Sequence, residues 1–125
     1  MTPDMEGKLA IVAEDDPANR LVLCRMLSAM NCTVLRAING DQAIKIATRE
    51  AAAIVFMDLN MPGKDGYEAV RAIRAMPDLA HLRVIAVTGD LTARARAACI
   101  EAGFDGVLSK PVRRDALAAE FSQIH

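Results

Sequence analysis

Tryptophan is absent from this 125-residue chain, and aromatic side chains are scarce: one tyrosine (Tyr67) and three phenylalanines (Phe56, Phe104, Phe121). A surface that stacks bases needs more than that, so single-stranded nucleic acid is a poor candidate ligand. Charge of either sign is not in excess: 15 Lys and Arg face 16 Asp and Glu, for a net charge of −1. With no basic run or stripe, nucleic acid as the main partner is not expected. Apolar residues reach 53% of the chain, yet no run approaches the ~20 residues that a membrane span requires. Cysteine is sparse and odd in number: Cys24, Cys32 and Cys99, with no CxxC spacing. They read as reduced thiols that serve as small apolar residues, not as a disulfide framework or a zinc site. The acidic opening, Met1-Thr2-Pro3-Asp4-Met5-Glu6-Gly7, does not resemble a signal peptide. A cytoplasmic location is therefore expected, with no membrane partner. There is no repeat, linker or low-complexity stretch, and the length suits one domain with a real core.

What the chain does have is polar residues placed directly behind short apolar runs. Glu14-Asp15 follows Leu9–Ala13, and Asp58 follows Ile54–Met57. Thr88 follows Val84–Val87, and Lys110 follows Val107-Leu108-Ser109. Apolar runs of this length, bounded by turn residues, read as strands of a parallel sheet covered on both faces. In such a sheet the ligand crevice lies beyond the carboxyl ends of the strands. Three carboxylates, a hydroxyl and an ammonium are thereby expected at one sheet edge, a set suited to a divalent cation and a phosphoryl group.

The predicted strands are Leu9–Val12, Thr33–Ala37, Ile54–Met57, Val84–Val87 and Gly106–Ser109. Pro17 opens the first helix, where its missing N–H costs nothing. Leu23, Met26, Leu27 and Met30 then form its apolar stripe. Further helices are predicted over 41–50, from the Gly66 region to Met76, over 92–102 and over 113–123. Pro77 ends the second of these, and Gly103 stops the third. Strict β–α alternation implies right-handed crossovers with helices on both faces. Five strands favour the flavodoxin-like (βα)5 fold, an α/β architecture with strand order 2-1-3-4-5. The crevice then falls between strands one and three, the two that deliver the carboxylates. Residues 1–7 read as an N-terminal extension and 8–125 as the domain.

Asp58 is the expected reactive group. A carboxylate is ionised at neutral pH and can attack phosphorus without a general base. Mg²⁺, with Mn²⁺ as a replacement, would offset its repulsion from an anionic phosphoryl group. Asp15 and Asp58 would hold the ion, with the backbone carbonyl of Asn60 and with Glu14 acting through a water. Lys110 would offer an ammonium, and Thr88 a hydroxyl, to the phosphoryl oxygens. Gly89 leaves the approach open. Taken singly, each of these residues has an ordinary structural role, and Asp16, just before Pro17, reads as a helix cap. His81 and His125 lie away from the cluster and read as solvated. Arg113 and Arg114 open the last helix, where cations oppose the dipole, a weak indication of an interaction surface.

Glu14-Asp15, Met57-Asp58-Leu59-Asn60-Met61-Pro62 with Asp65-Gly66, Thr88-Gly89 and Ser109-Lys110-Pro111 together resemble the receiver domain of two-component response regulators. The likeness covers roughly residues 8–124 and is closest to the single-domain, chemotaxis-regulator type. It implies Asp58 as phosphoacceptor, Asp15 with Glu14 as the metal-binding acidic pair, Thr88 as the switch hydroxyl and Lys110 as the lysine on the phosphoryl group. It also implies a cis Lys110–Pro111 peptide. The implied partners are a histidine kinase or histidine phosphotransfer protein, and a downstream protein that the sequence does not name. The implied role is a phosphorylation-activated signalling switch that promotes its own phosphorylation and dephosphorylation, without dedicated substrate turnover. Two positions depart from the pattern: Val107 stands where the family usually has an aromatic, and Lys64 where it often has an apolar residue.

A stand-alone receiver is the first expectation and a receiver excised from a hybrid histidine kinase the second. An aspartate-nucleophile phosphohydrolase is disfavoured because its second Asp, two residues after the nucleophile, is Asn60 here. A flavodoxin-like cofactor binder is disfavoured because Glu14-Asp15-Asp16 would repel a flavin phosphate.

Overall fold

The computed structural model describes residues 7–124. His125 and residues 1–6 of the predicted N-terminal extension lie outside the described residues. The chain alternates β1 (Leu9–Ala13), α1 (Pro17–Ala29), β2 (Thr33–Ala37), α2 (Gly40–Arg49), β3 (Ile54–Asp58), α3 (Gly66–Arg74), β4 (Arg83–Thr88), α4 (Ala93–Ala102), β5 (Gly106–Ser109) and α5 (Arg114–Phe121). A short 3₁₀ turn, Pro77–Leu79, precedes β4. The five strands form one sheet in the order β2-β1-β3-β4-β5, and every pairing is parallel. The expected (βα)5 fold is observed.

Strand alternation divides the core in two. Ile11, Val55, Met57, Val84, Ala86 and Val107 point to the face covered by α2, α3 and α4. Ala10, Val12, Ile54, Phe56, Ile85, Val87 and Leu108 point to the face covered by α1 and α5. There Phe56 meets Phe121 of α5, with ring centroids 6.1 Å apart. Central β3 is buried along its whole length. Edge strand β2 is partly exposed on both faces, because α1 and α2 reach only its inner side.

The helix ends follow from local chemistry. Asp16 caps α1, its carboxylate accepting from the Asn19 N–H at 2.9 Å, and Pro17 fills the first helical position. Asn39 and Thr92 cap α2 and α4 in the same way. Asp65 and Glu68 make a reciprocal capping box at the start of α3. That helix stops at Arg74, two residues short of expectation, since Met76 is driven into extended backbone by Pro77. Gly103, at φ 123°, closes α4 with a left-handed residue. Arg113 sits before α5 without a side-chain cap, its guanidinium paired instead with Asp115.

Candidate phosphoryl-acceptor site

Strand register builds the site. Ala13 pairs with Met57, so the next residues, Glu14 and Asp58, leave β1 and β3 side by side. Asp58 is level with Val87, and Thr88 is level with Ser109, which puts Lys110 one step beyond. Alternation then decides which groups meet. Glu14 follows Val12, Asp58 follows Phe56 and Lys110 follows Leu108, so all three lean to the face shared with α1 and α5. Thr88 follows Val84 and Ala86 to the opposite face, where Val107 also lies.

The contacts agree with that parity. Lys110 Nζ lies 3.1 Å from Glu14 Oε1 and 3.4 Å from Asp58 Oδ1. The Asn60 N–H donates to Asp58 Oδ1 at 3.3 Å. One carboxylate oxygen each from Glu14, Asp15 and Asp58 lie within 4.8 Å of one another. Thr88 is buried and outside this cluster, its hydroxyl oxygen accepting from the Asp90 N–H at 3.1 Å. A hydroxyl holding one acceptor bond retains its own proton to donate. Gly89 is open on its side-chain face, with nothing within 4 Å of a Cβ built there. The Lys110–Pro111 peptide is cis. His81 is exposed and remote from the cluster.

The electrostatics are those of a crowded acidic pocket. Burial, followed by the adjacent Asp58, pushes the Glu14 carboxyl from 4.5 up to about 7, against the pull of Lys110. Burial lowers the Lys110 pKa, but Glu14 and Asp58 outweigh it and hold the ammonium above its ordinary value. Glu14 Oε2 is fully buried with no hydrogen-bond partner. Such an oxygen is costly unless protonated or bound by a cation. Clustered hard oxygen donors with one unsatisfied lone-pair site fit a small divalent cation of the Mg²⁺ type.

Of the residues around the site, Gly66 was visible in the sequence through the Asp65-Gly66 motif, and Arg20 carried no visible signal. Arg20 of α1 donates to the backbone carbonyls of Glu14 and Asp15, at 2.9 and 3.4 Å. A contact between a helix side chain and the preceding loop backbone has no composition signature. Gly66 packs on the backbone of Asp58: a Cβ there would stand 2.6 Å from the Asp58 carbonyl oxygen and 2.9 Å from Leu59 Cα. Beside the acidic cluster lies a cleft of about 160 Å³, lined on its apolar side by Val22, Leu23, Met26, Phe56, Pro111 and Val112.

The fold and the acidic, lysine-bearing strand ends define an α/β module with a candidate phosphoryl-acceptor edge. Residues 10–122 match the response regulator receiver domain, and the chain belongs to that family. Among curated proteins it is similar to the sensor histidine kinase RcsC of Salmonella typhi, 36% identical over 112 residues that make up 90% of this chain and 12% of that protein. The chain thus spans about an eighth of the length of that relative. Among solved structures it resembles the receiver domain of sensor histidine kinase PA1611 from Pseudomonas aeruginosa PAO1, with TM-score 0.87, 31% identity and coverage of 94% of this chain and 97% of that one. A magnesium ion is coordinated in the active-site cleft of that protein. The Saccharomyces cerevisiae Ssk1 receiver domain, crystallised with the phosphotransfer protein Ypd1, shares the fold at TM-score 0.87 and 23% identity, covering 98% of this chain and 89% of that one. The protein is a phosphoryl-accepting signalling switch of the receiver class. No helix among the described residues is long and apolar enough to cross a membrane.

Proposed function

We propose that Asp58 accepts a phosphoryl group from the phosphohistidine of a histidine kinase or histidine phosphotransfer protein. The observation that carries this reading is the pairing of one ammonium, Lys110, with both Glu14 and Asp58 across three strand ends. In the transfer, an Asp58 carboxylate oxygen attacks phosphorus, the P–N bond to imidazole breaks, and its electron pair leaves with the imidazole nitrogen. Lys110 exchanges its contact with Asp58 for one with a phosphoryl oxygen, and Thr88 turns its hydroxyl proton toward another. Asp15, Asp58 and the Asn60 carbonyl would hold the cation, with Glu14 acting through a water. Bound there, Mg²⁺, or Mn²⁺ in its place, would offset the negative charge of the site during transfer. The product is a switched surface or a donor for onward transfer, with no dedicated substrate turnover. The working domain is 8–125, residues 1–7 are an extension, and the protein acts in the cytoplasm.

The apolar collar beside the site supports a protein donor. Val22 is 58% exposed and Leu21 44%, large aliphatic side chains left uncovered on the helix that borders the acceptor. A second reading, that this receiver works within a hybrid kinase, is favoured by the likeness to RcsC, of which it matches 12%.

The test is labelling by acetyl phosphate, followed by intact mass, with and without chelator. A single phosphoryl adduct is expected for wild type in Mg²⁺ and none for Asp58→Asn. Adducts of equal yield on both proteins would refute the assignment. Val22→Asp should slow transfer from a phosphohistidine protein about tenfold, as loss of an apolar contact does in an interface. Its acetyl phosphate labelling should stay unchanged, and equal losses with both donors would count against docking on α1.

A further inference from the structure

The carboxylates of Glu14, Asp15 and Asp58 repel one another, yet their oxygens stand within 4.8 Å. Something must hold the β1–α1 loop in that arrangement. Glu14 is anchored at its N–H, which donates to the Ala37 carbonyl at 3.0 Å. Asp16 is anchored by its cap on Asn19 and by its carbonyl, which accepts from the Arg20 N–H at 2.9 Å. Asp15, between them, is exposed and has one hydrogen bond to another residue among those described. That bond comes from Arg20 Nη1, which reaches back from α1 to the carbonyls of Glu14 and Asp15 together.

We infer that Arg20 is a positioning residue for the cation site: its guanidinium straps the Glu14–Asp15 backbone so that both carboxylates face Asp58. The inference rests on the reading of this cluster as a divalent-cation site. Arg20 acts on the backbone carbonyls and has no hydrogen bond to any of the three carboxylates. Its contribution is therefore order in the loop. Two effects oppose each other when it is neutralised. Loss of a nearby cation favours Mg²⁺ binding by reducing repulsion, and loss of the strap disfavours it by freeing Asp15. The side chain is partly exposed, where solvent weakens the charge effect, so the strap prevails.

The experiment is a Mg²⁺ titration of the unphosphorylated full chain, followed by amide shifts in NMR spectra, for wild type, Arg20→Gln, Arg20→Lys and Arg25→Gln. Arg25 is exposed on the same helix, so its replacement makes the same charge change away from the loop. Arg20→Gln should raise the Mg²⁺ dissociation constant about tenfold, the usual scale for losing an outer partner of a metal site. Arg20→Lys keeps one donor head and should lie between Arg20→Gln and wild type, and Arg25→Gln should match wild type. In acetyl phosphate labelling, Arg20→Gln should need more Mg²⁺ for half-maximal rate and reach the wild-type rate at saturation. Unchanged or tighter Mg²⁺ binding by Arg20→Gln would overturn the inference. If that variant does not fold, wild-type affinity in Arg20→Lys overturns it equally. A wild-type protein whose shifts around Glu14, Asp15 and Asp58 ignore Mg²⁺ would overturn the cation-site reading itself, and this inference with it.

Discussion

Glu14 is the residue in which fold and function conflict most directly. Its carboxyl is buried beside Asp58, one oxygen bound by Lys110 and the other without a partner. Burial and Asp58 raise its pKa from 4.5 to about 7. Between those two values the folded protein holds a proton that the unfolded chain has released. Stability must therefore fall as pH rises through about 7 and is fully retained below the unfolded value of 4.5. The ceiling on this effect is about 3 kcal/mol, and the Asp58 coupling shares it between two groups. Urea midpoints in chelator should accordingly fall between pH 5.5 and 8, and Glu14→Gln should flatten the slope; a midpoint that rises with pH in wild type would contradict this. Gly66 makes a second residue-scale prediction. Its replacement by alanine drives a methyl into the Asp58 carbonyl at 2.6 Å. The neighbouring atoms are backbone and cannot swing aside, so a loss of about 1–3 kcal/mol is expected in chemical denaturation. Acetyl phosphate labelling should slow as well, because the displaced backbone carries Asp58, the proposed acceptor.

Among the elements, α4 is held less firmly than α3. It buries only Cys99 and Ala102, whereas α3 buries Gly66, Ala69, Val70 and Ile73. Arg74 also ties α3 to the Gly103 and Leu82 carbonyls, at 2.8 and 2.6 Å, and to Asp105. What binds α4 to its neighbour is the Cys99 thiol on the Tyr67 hydroxyl at 3.8 Å, beside the edge-on contact of Tyr67 with Phe104. Local opening follows local burial. Amides of α4 should therefore exchange with deuterium at least about tenfold faster than those of α3; equal protection would show that the two helices open only with the whole domain. The arrangement of elements was partly legible beforehand. The apolar runs of β1, β3 and β4 and the caps Asp16 and Gly103 are local signals, so element order, strand order and the convergence of Glu14, Asp58 and Lys110 could be read from the chain. The side of the sheet on which Thr88 lies follows from the same alternation, after Val84 and Ala86. The strap from Arg20, by contrast, depends on a rotamer and leaves no pattern in composition or period. Nor does the tightness of α4, whose many alanines fit a buried or an exposed helix equally well.

On the scale of the whole molecule, the architecture concentrates charge in one place. The sheet delivers Glu14, Asp15 and Asp58 to a single edge, and among the described residues Lys110 alone answers them by direct ion pairing there. The chain as a whole carries a net charge of only −1, so the repulsion is local and is not relieved by a balanced surface. A site arranged this way is destabilising until a cation or a proton arrives. Asp58→Asn removes one of the repelling charges and leaves Lys110 its shorter contact, 3.1 Å to Glu14. In chelator this variant should melt above wild type, by roughly 4 °C for about 1 kcal/mol in a domain of this size. Millimolar Mg²⁺ should then raise the wild-type midpoint through mass action, since only the folded state gathers the three carboxylates. The variant, with one ligand lost, should gain less, and the two midpoints should converge as Mg²⁺ increases. High monovalent salt should narrow the gap only slightly in chelator, because Asp15 is exposed but Glu14 and Asp58 are buried, where screening is weak. Should Asp58→Asn melt below wild type in chelator, the ion pair with Lys110 would outweigh the repulsion, and the acidic edge would be a source of stability instead of strain.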